Sequence, residues 1–375
     1  MPKKLYVGVD NVARKGKKMY FGVDNLARKA KKGYIGVGGV ARPFFAGGEL
    51  VYYGTITGLS TARYELAATN NGSYALFGGG YDGTNQLSKV DAYDTSLTRS
   101  SPTGLSLARY RLAATNVGDY ALFGGGQKSS ASSTVDAYNT SLTRSIPTSL
   151  YTSVYYLAAS SIDNYALFGG GEQRSSNQYS FVNAYNASLT CSQATKFLTG
   201  RSRLASASVG GYVLFGGGIN GSSSVSTVNA YDASLTRKAS TGLSVARYDL
   251  AATNNGGYAL FGGGTGNGLI VDAYNASLTR SIPTTLSAGR RYLTANTIGV
   301  YALFGGGFNE SAQATHATVD AYDASLTRSI PTAFSKGRYR LASTNIGEYV
   351  LFGGGASGTY NRASADSTVD AYTVA

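Results

Sequence analysis

The chain has 375 residues and a net charge of +13, with one cysteine, one histidine and no tryptophan. The lone Cys191 excludes a disulfide framework and thiolate-rich zinc sites, while 43% hydrophobic residues are enough for a packed core. No run of about 18 apolar residues occurs, so no membrane insertion is expected. The N-terminus lacks the apolar stretch of a secretory signal, so synthesis in a cytoplasm is expected.

Residues 3–45 repeat with a period of 14: KKLYVGVDNVARKG, KKMYFGVDNLARKA, KKGYIGVGGVARPFF. Each copy sets a β-prone run, such as 6–9, before Asp10-Asn11, Asp24-Asn25 or Gly38-Gly39. These dipeptides tolerate positive φ in a two-residue hairpin turn, so three tandem hairpins are predicted. Isolated hairpins are marginal in water, so these need self-association or a larger body to dock on. The segment holds eleven Lys and Arg against Asp10 and Asp24, leaving about +4 for the rest of the chain. Clustered cations neutralise phosphates, but lysines flanking exposed hairpins also serve as solvated edge protection. The second reading is preferred, and nucleic acid is not an expected partner. This tandem basic hairpin resembles a module attached to varied C-terminal domains in structural proteins of phages and prophages of Gram-positive bacteria. The resemblance implies an attachment module at 1–45 whose partner is a virion protein.

From residue 46 to 375 a longer repeat takes over. Phe-Gly-Gly-Gly begins at Phe77, Phe123, Phe168, Phe215, Phe261, Phe304 and Phe352, at intervals of 43 to 48 residues. Ala-Tyr pairs ending at Tyr93, Tyr138, Tyr185, Tyr231, Tyr274, Tyr322 and Tyr372 run in phase with it. Such a period marks one supersecondary unit repeated. In the copy at 105–150, strands are predicted at 112–115, 120–123, 135–138 and 142–145, with a turn at Asn116-Val117-Gly118. A sheet of four short strands, apolar on both faces, needs a neighbour on each side, and seven close into a ring.

The order Arg, apolar strand, Gly-Gly, variable loop, Val-Asp-Ala-Tyr, Pro resembles the kelch repeat in all seven units. The tryptophan of that repeat's outer strand is missing, and Leu-Thr-Arg stands there in blades 1, 2, 4, 5 and 6. The resemblance implies an all-β fold, a seven-bladed kelch-like β-propeller. The last unit ends at Thr373-Val374-Ala375 without a fourth strand, whereas residues 51–56 occupy the register of 97–102. An N-terminal strand is therefore expected to complete the last blade and close the ring.

Positions alike in every blade are explained by repeated packing, and those that differ are free of it. The second-to-third-strand loops at 81–89, 127–134, 172–181, 219–227, 265–270, 308–318 and 356–368 differ most, with Tyr81, Arg174, Tyr179, Phe308, His316, Tyr360 and Arg362 among Ser, Asn and Gly. Strand direction alternates, so these loops share a face with the fourth-to-first connections. There stand Arg63, Arg109, Arg201, Arg247, Arg290 and Arg338, with Val154 in blade 3. Two residues further on the types scatter: Glu65, Arg111, Tyr156, Arg203, Asp249, Tyr292 and Arg340. A rigid scaffold presenting variable loops is a usual layout for binding, and Tyr, Ser, Asn and Gly suit adaptable contacts. The candidate ligand-binding face is therefore the six arginines with Tyr81, Arg174, Tyr179, Phe308, Tyr360 and Arg362. The arginine ring has two readings, recognition of carboxylate or phosphate and ties to the blade each arginine leads into; the second is preferred because the residue recurs. A second ring, Arg99, Arg144, Arg237, Arg280 and Arg328, follows Asp91, Asp136, Asn229, Asp272 and Asp320 by eight residues and reads as structural.

An enzyme is not expected. His316 alone cannot build a Ser-His-Asp site without burial and orientation, paired histidines for copper are lacking, and no two carboxylates can be paired from sequence. The triple glycines precede no helix, so they are not a phosphate loop. No catalytic residue, metal or cofactor is expected. The reading reached is a non-enzymatic tail- or baseplate-associated virion protein, made in a bacterial host cytoplasm. Its propeller recognises a bacterial surface glycan or a protein. The alternatives are a decoration or adaptor protein of the virion, or a cytoplasmic kelch scaffold.

Overall fold

A computed structural model describes residues 48–374, apart from 175, 176 and 267, together with paired strands within 5–43. Residues Leu50–Val374 form one compact unit and Met1–Glu49 belong to another. In the N-terminal unit, Leu5–Val9 pairs with Val12–Gly16, Tyr20–Val23 with Leu26–Lys29, and Tyr34–Val37 with Val40–Pro43, all antiparallel. Three tandem hairpins are thus present; the dipeptides expected to turn them lie outside the described residues.

The larger unit is an all-β propeller of seven four-stranded antiparallel sheets, each with its strands side by side in one run. In blade 2 these are Ala113–Val117, Tyr120–Gly124, Val135–Tyr138 and Arg144–Ser145. The first strand runs on through Val117, so the turn falls at Gly118-Asp119 rather than at 116–118. The fourth keeps only two of the four residues expected. Leu142 stands at φ 60°, in the left-handed region that a bulky residue occupies only under constraint. The Asn139 side chain supplies that constraint by accepting the N–H groups of Ser141 and Thr143. The same strained leucine recurs at Leu97, Leu189, Leu235, Leu278 and Leu326.

Core packing lies between blades rather than within them. Phe123, Tyr138 and Ala121 of blade 2 pack on Leu76, Val90 and Ala92 of blade 1, and Phe77 and Tyr93 of blade 1 pack on Ile346, Leu351 and Ala371 of blade 7. The first glycine of the repeated tetrapeptide is where one blade receives the next. A Cβ on Gly124 would lie 2.8 Å from the Phe168 ring, and one on Gly353 would lie 2.7 Å from Phe77, which closes the circle. Phenylalanine and glycine recur together because the phenylalanine of one blade occupies the space its neighbour's glycine leaves, except at Gly305, where Phe334 of the connection takes that place.

Leu50–Ile56 is the outer strand of blade 7, antiparallel to Val369–Val374. Its register is the expected one from Gly54, which stands opposite Ala371 as Ser100 stands opposite Ala92, and slips by one residue before it. Tyr52, not Tyr53, stands opposite Tyr372, as Arg99 stands opposite Tyr93 in blade 1, because Tyr53 is the extra residue of a bulge. The Tyr52 hydroxyl donates to Asp370 Oδ1 at 2.6 Å, the carboxylate oxygen that outer arginines approach in other blades. Burial and the Asp370 carboxylate push this phenol up to about 12.

Candidate functional site

The six repeated arginines expected on the binding face are buried rather than turned to solvent. Arg63, Arg109, Arg247, Arg290 and Arg338 have fully buried side chains, each ion-paired with a buried aspartate of its own blade: Asp91, Asp136, Asp272, Asp320 and Asp370. All six also donate to a phenylalanine carbonyl of that blade, as Arg109 does to Phe123 at 3.0 Å and Arg201 to Phe215 at 3.0 Å. They clamp the incoming connection onto its blade. Blade 3 shows the same logic by omission: Val154 replaces the arginine, Asn183 the aspartate and Cys191 the outer arginine. Blade 3 does retain the carbonyl. Val154 O accepts from Gly126 N at 2.8 Å, as Arg109 O does from Gly80 N at 2.9 Å.

Two residues after each clamp the chain reaches the propeller axis. Glu65, Arg111, Tyr156, Arg203, Asp249, Tyr292 and Arg340 all have φ between 52° and 58°, in the left-handed region. Their backbones form a closed circle, in which each N–H donates to the carbonyl of the equivalent residue in the preceding blade at 2.8 to 3.1 Å, from Arg111 N to Glu65 O round to Glu65 N to Arg340 O. Seven non-glycine residues in this conformation store strain that the circle of hydrogen bonds overcomes. The residue type at this position varies from blade to blade, and the backbone strain that fixes its direction leaves no trace in it.

The side chains of this circle interlock in chain order. Glu65 accepts from Arg111 Nε at 3.0 Å and from the Tyr156 hydroxyl at 3.2 Å, and pairs with Arg340 at 3.3 Å. The guanidiniums of Arg111 and Arg203 lie over the Tyr156 ring at 4.7 and 4.5 Å, and Arg340 lies over Tyr292 at 4.6 Å. Asp249 sits 3.9 Å from both Arg203 and Arg291. The two acids of the circle are sunk and two of its cations stand out: side-chain exposure is 6% for Glu65 and 4% for Asp249, against 24% for Arg111 and 28% for Arg203, with Arg340 between them at 13%. An approaching ligand therefore meets guanidiniums and tyrosine edges. Burial pushes the Asp249 carboxyl up to about 6, against the pull of Arg203, a Tyr292 hydrogen bond, Arg291 and Arg340.

Beneath the circle lies a cavity of about 340 Å³, walled by the start of each inner strand. A second, of about 380 Å³, continues it toward the opposite face. The two share Ala68, Ala114, Ala159, Ser206, Ala252, Ala295 and Ser343, and small side chains here keep the bore open.

The variable loops are rooted beside this mouth. Tyr64, Tyr110, Tyr155, Ser202, Arg291 and Tyr339, each one residue before a circle position, bridge to the first residue of their own blade's loop. Among the loop residues expected on the binding face, Tyr360 reaches the mouth, stacked on Tyr292 at 6.2 Å, with Arg340 donating to its hydroxyl at 3.1 Å. Tyr81 packs edge-on against Tyr64 and beside Tyr110. Phe308 is instead 1% exposed, in a cluster with Tyr64, Tyr339 and Ala356, so it is core. Tyr179 bonds within its own loop, to Gln173 and Asn177, and Arg174 and Arg362 are exposed. His316 carries the repeat backbone bond to Gly307 O, and burial and Arg290 lower its imidazole's proton affinity. Among the described residues, no cluster of His, Cys, Asp and Glu is suited to a metal.

Fold and mouth together define a seven-bladed propeller with a cationic, tyrosine-lined axial site. Comparison with protein-family models and with curated proteins finds no match for this chain.

Proposed function

We propose that this is a non-enzymatic recognition protein, a kelch-type propeller that takes an anionic surface glycan at its axial mouth. The observation that carries the reading is the sorting of charge there, with Arg111 and Arg203 turned toward solvent and Glu65 and Asp249 buried beneath. Buried carboxylates orient guanidiniums, and oriented guanidiniums bind oxyanions in fixed geometry. Tyr110, Tyr156, Tyr292 and Tyr360 add flat surfaces of the kind that adaptable contact faces use. The resemblance of residues 1–45 to attachment modules of phage and prophage structural proteins supports a virion context, tail or baseplate, in which the hairpins hold the particle and the propeller faces the host.

Because the six clamp arginines are buried, their charge reversal would unfold a blade rather than test binding, so Arg111 and Arg203 are the positions to change. The protein should bind purified acidic wall polymer of Gram-positive bacteria and leave neutral dextran unbound. Arg111→Gln with Arg203→Gln should weaken binding by at least about tenfold, with a cooperative fold kept at a somewhat lower melting temperature because Arg340 and Tyr156 still hold Glu65. A double variant that binds like wild type would overturn the mouth as the site.

A further inference from the structure

The two acids of the axial circle are held in different ways. Glu65 is saturated by Arg111, Arg340 and Tyr156 at 3.0 to 3.3 Å. Asp249 is not. Its Oδ2 accepts no hydrogen bond, and the guanidiniums on either side, Arg203 from blade 4 and Arg291 from blade 6, stop at 3.9 Å. That separation is too long for direct bonding. The donors of this sector are correspondingly unspent, for the Nε atoms of Arg203, Arg291 and Arg340 have no partner. One side of the mouth thus holds three guanidiniums with an unpartnered Nε each; Arg340 and Arg291 also pair with Glu65 and Glu310, while Asp249 keeps one hydrogen bond, from Tyr292, and leaves Oδ2 unbonded. A group in that position behaves as an occupant of an anion site rather than as a strut.

We propose that Arg203 and Arg291 form a carboxylate subsite in which Asp249 is the resident occupant, and that a ligand carboxylate takes this place when Asp249 accepts a proton and turns from competitor to hydrogen-bond donor. The proposal rests on the reading of the mouth as a glycan site and assigns it a ligand class, a glycan whose repeating unit carries a carboxylate, because the resident group is itself one. Above about pH 6, binding consumes one proton from solvent, delivered to Asp249. The groups facing Asp249 are Arg203 from blade 4, Arg291 and Tyr292 from blade 6 and Arg340 from blade 7. Glu310 lies behind Arg291 as its ion-pair partner, and Glu172 acts on Arg203 from the side.

The sign follows from the acid's raised affinity for protons. Above about pH 6 Asp249 is charged and competes; below it the competitor is neutral. Each pH unit above that point makes the proton about tenfold scarcer, so wild type at pH 7.5 should bind about 30-fold more weakly than at pH 5. The experiment is calorimetric titration of the full chain with an oligomer of glucuronate between pH 5 and 8, in two buffers of different ionisation enthalpy. Wild type should tighten as pH falls and take up about one proton per site at pH 7.5. Asp249→Asn, permanently neutral yet still a donor, should bind about 30-fold more tightly than wild type at pH 7.5 and show no pH dependence. Asp249→Ala serves as a second variant should the amide disturb folding, and must also lose the pH dependence. Wild-type affinity that is flat with pH, or an Asp249→Asn affinity no better than wild type at pH 7.5, overturns the subsite while leaving the mouth reading standing. No binding of oligoglucuronate by a protein that does bind acidic wall polymer overturns the carboxylate class alone, whereas binding of neither, or only of an acidic peptide such as oligoglutamate, overturns the glycan reading itself.

Discussion

At the scale of single residues, blade 4 isolates what the buried ion pair contributes. Arg201 is clamped to Phe215 O like its counterparts, but Asn229 stands where they have aspartate, and Asn229 Oδ1 accepts no hydrogen bond. The guanidinium lies instead over the Phe197 ring at 4.4 Å. Burial lowers its proton affinity to about 10, with only Tyr231 opposing. A base held below its unfolded value costs stability while it stays charged, and the cost fades as pH rises from about 10 toward 12.5. Asn229→Asp should restore the pair seen in the other arginine-bearing blades and add about 2 kcal/mol to unfolding stability in urea at pH 7. A variant no more stable than wild type would mean that the aromatic contact already satisfies the charge. Residue types were a fair guide to such scaffold positions, since the Arg, Asp and outer Arg change together in blade 3. They were a poor guide to the mouth. The circle from Glu65 to Arg340 stood out only as scatter, while the recurring arginines beside it drew attention through charge that proved buried.

At the scale of strands and turns, the tetrapeptide repeat shows how local sequence encodes contacts between blades. Gly124 needs no unusual backbone angle; its role is to leave room for Phe168. Gly124→Ala should therefore cost about 2 kcal/mol through overpacking alone. Gly257→Ala, whose new methyl would meet nothing closer than Asn255 Oδ1 at 3.9 Å, should stay within about 0.5 kcal/mol of wild type. Equal effects at the two sites, measured by thermal unfolding, would remove the interlocking account. The inner strands were legible because apolar runs end in clear turn dipeptides and glycines. The outer strands are shorter than their sequence suggests because Leu142 and its equivalents look β-prone but lie in the left-handed region, held there by a neighbouring Asp or Asn. No single-residue preference announces that conformation.

At the scale of the whole ring, six junctions between neighbouring blades are crossed by the chain as it passes from a fourth strand to the next first strand. The seventh, between blades 7 and 1, has the same inner bonds as the rest: Glu65 N to Arg340 O and Gly355 N to Arg63 O, both at 2.9 Å. It is crossed by the chain only because Leu50–Ile56 is paired in blade 7 before the chain enters blade 1. This closure was legible from the missing fourth strand at one end of the repeat and the surplus strand at the other. Its bulge at Tyr53 was not, because Leu50–Ile56 alternate half-buried and exposed residues without a break, so nothing in the pattern marks the extra residue. Removing residues 1–56 should convert the seventh junction to a purely non-covalent one and bare the edge formed by Val369–Val374. We expect a loss of about 3 kcal/mol or more, with self-association through that edge, relative to a protein lacking only residues 1–47. Tyr52→Phe, which removes the hydroxyl from Asp370 but leaves Arg338 in place, should cost about 1 kcal/mol. If the protein lacking 1–56 stays monomeric and melts with the one lacking 1–47, the axial circle of hydrogen bonds alone closes the ring, and the outer strand is dispensable.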